Sequence, residues 1–281
     1  MQYIERLMTN SVKFTIDKIA VANSFSKAAL HYDQFAQLQR DIGNRLFTSL
    51  DTCSLDSREP GNCLDLGCGT GYFSGKLINE QKIKEVICFD LSSGMLNVLQ
   101  NKLLQNKRPL SLRCIQGDMD FIPFSDNQFS TIFSNLAVQW SSDLSRMLIQ
   151  LKRILASGGE LNFSTLLAGS LKELSDAWLT LDSYPHTNTF LTLADIQQML
   201  AEVGFTKVTI ETETITLYYQ NVLDLMRDLK GIGANQVHGH HLHKSQGRSL
   251  INKLELGYAK DKTRSGLLPL SYQVCYIKAI K

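Results

Sequence analysis

Residues 63–71 read Cys63-Leu64-Asp65-Leu66-Gly67-Cys68-Gly69-Thr70-Gly71. A short apolar run carries an acid, and three glycines then alternate with small side chains before a polar, helical stretch. Glycine lets the main chain turn tightly and approach a bound group with no Cβ in the way. A helix start behind such a turn presents free N–H groups. A dinucleotide fingerprint requires G-x-G-x-x-G. Here the third glycine arrives one residue early, and Tyr72 stands where that fingerprint has its last glycine. The spacing is G-x-G-x-G with an acid two residues before it.

Outward from this turn, short apolar runs alternate with helical stretches. CLDLG (63–67), EVICFDLS (85–92), LRCIQGD (112–118), FSTIF (from 129) and ELNFSTL (160–166) read as strands. YFSGKLINEQ (72–81), GMLNVLQNKLLQNK (94–107) and DLSRMLIQLKRILAS (143–157) read as helices, the last predicted to stop at Gly158-Gly159. Residues 16–50 read as helical, with apolar residues at three- and four-residue steps. After residue 168 the rhythm changes. An inserted amphipathic helix (171–184), a helix with a glycine stop (192–205), a long alternating strand (206–219), another helix (222–235) and a final strand (268–281) follow. Strand–helix alternation predicts a mostly parallel sheet covered on both faces, and the two late alternating strands predict an antiparallel edge.

Later positions support a ligand site around the glycine turn. Asp90 ends the second strand, 19 residues after Gly71, where a carboxylate can accept from both hydroxyls of a ribose. Leu91-Ser92-Ser93-Gly94-Met95-Leu96 follows, and Gly117-Asp118-Met119 ends the third strand. Phe121-Ile122-Pro123-Phe124 then precedes the fourth strand. In this order the four blocks resemble the motifs of Rossmann-like S-adenosylmethionine (SAM) methyltransferases. The resemblance implies that Asp65, Gly67, Gly69, Gly71, Asp90, Leu91, Asp118, Met119 and Asn135 bind the cofactor. Asp118 is then expected on the adenine amino group and Asn135 near the methionine part of SAM.

More specific blocks narrow the family. AVANSFSKAALHYD (20–33), SNLAVQW (134–140), FSTLLAGSLKELSDA (163–177), PHTN (185–188), RDLKGIGAN (227–235) and LPLSY (268–272) are similar to the malonyl-acyl-carrier-protein O-methyltransferases of biotin synthesis, often called BioC. The match runs from about residue 18 to the last residue. That likeness implies methyl transfer from SAM to the free carboxylate of a malonyl thioester, with an acidic acyl carrier protein as partner and malonyl-CoA as another possible carrier. It also implies three parts: a helical lid segment (1–50), a SAM-binding core (51–168), and the rest of the sheet with lid and substrate helices (169–281).

A carboxylate is already ionised at neutral pH, its pKa lying near ~4. An alignment mechanism with no residue acting as acid or base is therefore expected, and no catalytic His–Asp pair stands out in the sequence. Tyr32, Gln139, Trp140 and Lys230 are the candidates for holding substrate, with Tyr32 also closing over the cofactor. Their plainer readings are a core aromatic for Tyr32, simple packing for Trp140 and a helix-terminal cation for Lys230. His31 reads as a packing or hydrogen-bonding residue. The cluster His238, His240, His241, His243 has no cysteine or acid in ligand spacing beside it, so no metal is expected and a lid tip or protein-contact loop is.

Composition bounds the rest. The chain has 281 residues, 43% hydrophobic and 20% charged, which excludes disordered, collagen-like and disulfide-scaffold classes. The net charge of +2 does not by itself announce a nucleic-acid binder. Residues 221–281 carry ten lysines and arginines against four acids, a net +6, while the rest is −4. Such a segment would steer an acidic carrier, and equally RNA. A methyltransferase for another small acid, a quinone precursor or tRNA thus stays open, as does a non-catalytic SAM-binding protein. The start of the chain lacks the pattern of a secretory signal, and no apolar run has the ~18 residues of a membrane helix. Six cysteines form no CxxC pair. A cytoplasmic protein with neither membrane nor nucleic acid as partner is expected.

Overall fold

The computed structural model describes residues 16–50, 60–105, 111–234 and 247–281. The histidine cluster at 238–243 lies outside the described residues. Among the described residues no helix is long and apolar enough to cross a membrane.

One seven-stranded sheet organises the chain. Its strands are β1 (Gly61–Leu66), β2 (Ile83–Asp90), β3 (Leu112–Gln116), β4 (Phe129–Asn135), β5 (Leu155–Leu166), β6 (Lys207–Tyr219) and β7 (Leu268–Ile280). The order is β3-β2-β1-β4-β5-β7-β6. β1 to β5 pair in parallel, and β7 pairs antiparallel with both β5 and β6. The expected parallel sheet with an antiparallel edge is therefore what forms. Strand order reverses between β1 and β4, so a crevice opens there at the carboxyl ends of the strands. Leu64, Ile87, Phe133 and Phe163 are fully buried along the central strands, as expected for a sheet covered on both faces.

The helices of the amino-terminal half are α1 (Lys18–Ala28), α2 (Tyr32–Phe35), α3 (Gln37–Thr48), α4 (Ser74–Leu77), α5 (Ser93–Gln105) and α6 (Leu144–Ile154). Those of the other half are α7 (Lys172–Leu179), α8 (Leu193–Val203), α9 (Val222–Gly231) and α10 (Gly247–Gly257). The helical reading of 16–50 thus resolves into three pieces. The helix expected over 72–81 is one turn, because three-residue hydrogen bonds from Asn79 and Glu80 close the chain toward β2.

The helix expected to stop at Gly158-Gly159 stops at Ile154 instead. Leu155 is already extended, at φ −67 and ψ 139. The glycine pair belongs to a register shift early in β5. Gly158 has φ +68, and a Cβ on Gly159 would sit 2.9 Å from the Ala156 carbonyl oxygen and 3.0 Å from that of Ser130. Close approach of backbone within β5 and from β4, rather than a helix stop, requires glycine there.

Candidate active site

Every loop at the carboxyl ends of β1 to β4 contributes to one crevice. In the turn after β1, Gly67, Gly69 and Gly71 have φ of +73, +53 and +81. Their reasons for being glycine differ. A Cβ on Gly67 would lie 2.3 Å from Cβ of Ala137, and one on Gly71 would lie 2.1 Å from Leu99 of α5. At Gly69 nothing lies within 4 Å of that position. Gly67 and Gly71 thus serve packing, whereas Gly69 leaves its space open to a ligand.

The acids also divide. Asp90 accepts from the Gly69 N–H at 2.9 Å and the Ser92 N–H at 2.8 Å, one on each oxygen. Each oxygen keeps a lone pair for the crevice, and burial raises the carboxyl pKa. Asp65 lies behind the turn, 2% exposed, and accepts from Ser74 Oγ at 2.5 Å. Burial pushes its pKa up to about 7. Asp65 and Gly71 do not line the crevice; they shape the loop that does. Gly67, Gly69, Asp90, Leu91, Asp118, Met119, Asn135, Tyr32 and Trp140 line it.

Asp118 has a partner that sequence reading missed. Lys18 Nζ donates to Asp118 Oδ1 (2.9 Å) and to the Trp140 carbonyl (2.9 Å), and it lies 2.8 Å from Asp120 Oδ2. α1 is thereby fastened across the loops after β3 and β4. A second clamp joins α2 to the glycine turn. Asp33 accepts from Thr70 Oγ1 and from Lys102 Nζ, both at 2.6 Å, and these partners hold its carboxyl below the usual range. A lone lysine at a helix start carries no motif, so only the fold could reveal Lys18.

Asn135 lines the crevice, but its side chain is engaged. Nδ2 donates to the Gln39 carbonyl and Oδ1 accepts from Ser164 Oγ, both at 2.8 Å. It ties β4 to α3 and β5. Leu136 beside it adopts φ +48, a left-handed conformation that sequence does not announce in a leucine.

A second cavity of about 380 Å³ adjoins the first. Phe25, Tyr32, Leu136 and Trp140 line both, so these four side chains form the wall between them. Phe25 and Trp140 meet edge to face, with centroids 5.5 Å apart. Burial and the nearby Asp90 and Asp33 carboxylates raise the Tyr32 pKa, which keeps its hydroxyl a proton donor. The chamber is largely apolar, with Leu166, Leu174, Trp178 and Leu229 on its wall. All four substrate candidates line it: Tyr32, Gln139, Trp140 and Lys230. Lys230 is the only lysine, arginine, aspartate or glutamate among the described residues that do so. Gln139 Nε2 donates to the Leu136 carbonyl at 2.8 Å. His31 is exposed, and its Nδ1 lies 3.5 Å from Gln34 Nε2.

His186 of the chamber wall belongs to a pair that sequence reading did not find. His186 Nε2 lies 2.8 Å from Asp182 Oδ1, and the imidazole stacks on Trp178 at 3.8 Å between centroids. The two residues are four apart in a loop; His186 lies in the PHTN block, but neither periodicity nor motif marks its pairing with Asp182. Among the described residues no group of three or more metal-binding side chains occurs.

Residues 64–163 match the family model of a methyltransferase domain. A malonyl-[acyl-carrier protein] O-methyltransferase from Serratia marcescens is 41% identical over 269 residues, covering 95% of this chain and 97% of its own. One from Yersinia pestis is 38% identical over 264 residues, covering 93% and 91%. Among solved structures, YcgJ from Bacillus subtilis superposes with a TM-score of 0.60 at 16% identity, over 86% of this chain and 98% of its own. Phosphoethanolamine N-methyltransferase 2 from Haemonchus contortus, in complex with SAM, gives 0.56 at 16% identity, over 91% of this chain and 57% of its own. These structural likenesses bear on the fold alone. The open Cβ position at Gly69 and the lone pairs left on Asp90 fit SAM as the cofactor. By its likeness to the curated relatives over nearly its whole length, the chain belongs to the malonyl-[acyl-carrier protein] O-methyltransferase family of SAM-dependent enzymes.

Proposed function

We propose that the chain methylates the free carboxylate of a malonyl thioester carried on an acyl carrier protein, giving the methyl ester that primes pimeloyl synthesis for biotin. Beyond family membership, one observation supports this most: an apolar chamber shares a wall with the cofactor crevice, and among the described residues Lys230 is the only lysine, arginine, aspartate or glutamate that lines it. A carboxylate entering such a chamber loses water and becomes a better nucleophile, while the ester that leaves is neutral and suits the apolar wall.

Bound SAM supplies a methyl group activated on a sulfonium. The chain's own residues do the rest by position. In this reading Asp90 accepts from the ribose hydroxyls, Gly69 leaves room for the main chain to approach the cofactor, and Leu91 and Met119 flank the adenine. Asp118 faces the adenine amino group with the oxygen that Lys18 does not engage. Asp65, Gly67 and Gly71 hold the turn in shape, and Asn135 braces β4 beneath the methionine end. Tyr32 and Trp140 orient the acceptor where the two cavities meet and exclude water. Gln139 sits beside them, and Lys230 receives the carboxylate. No base is needed, since the acceptor is already ionised.

The His186–Asp182 pair favours a second reading, a hydroxyl acceptor with His186 as general base. Release of S-adenosylhomocysteine with carrier-bound acyl groups separates the two. The carboxylate reading predicts turnover with the malonyl carrier and none with acetyl or 3-hydroxybutyryl carriers. Turnover with the hydroxyacyl carrier alone would overturn it.

A further inference from the structure

The chamber has a second shared wall. His186, Thr187, Asn188 and Phe190 line it from within and also line an outer groove of about 400 Å³. The chamber therefore shares the aromatic wall of Tyr32 and Trp140 with the crevice and the 186–190 segment with the groove, so it adjoins both. A malonyl group fills only the end next to the cofactor. This arrangement suits an acceptor with a long, thin tail leading to the surface.

The polarity of the chamber says what that tail carries. Asp182 is a carboxylate, held below its usual range by His186 and the Tyr184 N–H, and a carboxylate only accepts. Nε2 of His186 therefore carries the hydrogen, and a neutral ring then offers a lone pair at Nδ1. That Nδ1 is buried and has no hydrogen-bond partner among the described residues. Gln39 Oε1 and Gln139 Oε1, on residues that also line the chamber, are buried acceptors in the same condition. Buried polar groups are nearly always satisfied, so three unmatched acceptors on residues that line one chamber point to a ligand that brings donors. The malonyl end of a thioester has none, since its oxygens and sulfur only accept. The N–H groups belong to the amides of a pantetheine arm.

Charge agrees with that path. Asp176 on the groove wall pairs with Lys172 and, at 3.5 Å, with Lys260 of the basic carboxyl-terminal segment. The groove thus opens beside the surface expected to meet an acidic carrier.

We propose that His186, fixed by Asp182 and Trp178, accepts a hydrogen bond from an amide N–H of the pantetheine arm and so selects thioesters on that arm. This rests on the malonyl-thioester reading. His186 is a specificity-determining residue here, standing on the groove side of the chamber rather than on the wall next to the cofactor.

The test is a substrate series with wild type, His186→Phe, His186→Asn and Asp182→Ala. Malonyl-CoA has two arm amides, the malonyl thioester of N-acetylcysteamine has one, and S-ethyl malonyl thioester has none. His186→Phe retains the stack on Trp178 and removes the acceptor. It should lower kcat/KM about tenfold or more on the amide-bearing thioesters, mainly through KM, and leave the S-ethyl compound and SAM affinity unchanged. His186→Asn, which keeps a polar acceptor, should recover part of the loss. Asp182→Ala, which frees the ring tautomer, should lose less in the same order, and it decides the matter if His186→Phe does not fold. Equal losses on all three thioesters, or no loss on any, would overturn the assignment. A wild type inactive on these thioesters and on the malonyl carrier protein as well would instead overturn the function it rests on.

Discussion

The cofactor crevice and the acceptor chamber are built on opposite plans. The crevice draws on loops that follow β1, β2, β3 and β4 in order, and its central contacts are main-chain atoms. Gly69 and Ser92 donate their N–H groups to Asp90, and positive φ at three glycines sets the turn. The chamber is assembled from α1, α2, α3, the loop after β4, α7, the 186–190 segment and α9, among others, and its character lies in side chains. A main-chain site needs few residue types at fixed spacing, whereas a side-chain chamber can be lined in many ways. This fold therefore keeps its cofactor loops local in sequence and gathers its acceptor site from distant segments.

The comparison predicts that variants on either side act on different ligands. The largest effect belongs to Asp90→Ala, which removes the carboxylate proposed to accept from the ribose and orphans two backbone N–H groups. SAM affinity by calorimetry should fall about a hundredfold or more. A fall below threefold would break the division, because the crevice would then not depend on its carboxylate.

Asp65 tests whether the turn is held from behind. Its folded pKa is raised to about 7, and an unfolded aspartate ionises near ~4. The folded state therefore binds the proton more tightly. The stability this contributes is fully present below pH ~4 and is lost as pH rises toward ~7. Relative to Asp65→Asn, which can still accept from Ser74, wild type should lose a few kcal/mol across that window, read as several degrees of Tm. A constant difference in Tm between pH 4 and 8 would contradict the buried-acid reading.

Lys230→Ala should raise KM for the malonyl thioester about tenfold and leave SAM affinity alone, since a charge-assisted hydrogen bond is lost at an exposed position. Weaker SAM binding with an unchanged thioester KM would place Lys230 on the wrong side of the wall. The smallest effect is expected from Lys18→Met. It removes the fastening of α1 to Asp118, Asp120 and the Trp140 carbonyl, and should weaken SAM several-fold with little change in acceptor KM. An effect on the acceptor alone would sharpen the picture by moving α1 to the chamber.

The same contrast explains what the sequence disclosed. Order, sheet type and the cofactor loops were legible because Asp65-to-Gly71, Asp90 and Asp118 sit at fixed distances along strands that alternate with helices. Tyr32, Gln139, Trp140 and Lys230 were picked out by family likeness, and the fold does bring them around one chamber. Lys18, Gln39 and the His186–Asp182 pair were not legible. Each acts through a contact across the fold or within an irregular loop, which no periodicity records. The Gly158-Gly159 misreading has a similar origin: glycine required by approaching backbones looks, in sequence, like glycine required by a helix end.

Intact-mass spectrometry of malonyl-acyl carrier protein, incubated with the enzyme and SAM, tests the central claim most directly. The account predicts a gain of one methyl group on the malonyl carrier and no gain on the acetyl carrier. An unchanged malonyl carrier, with SAM binding confirmed by calorimetry, would contradict it.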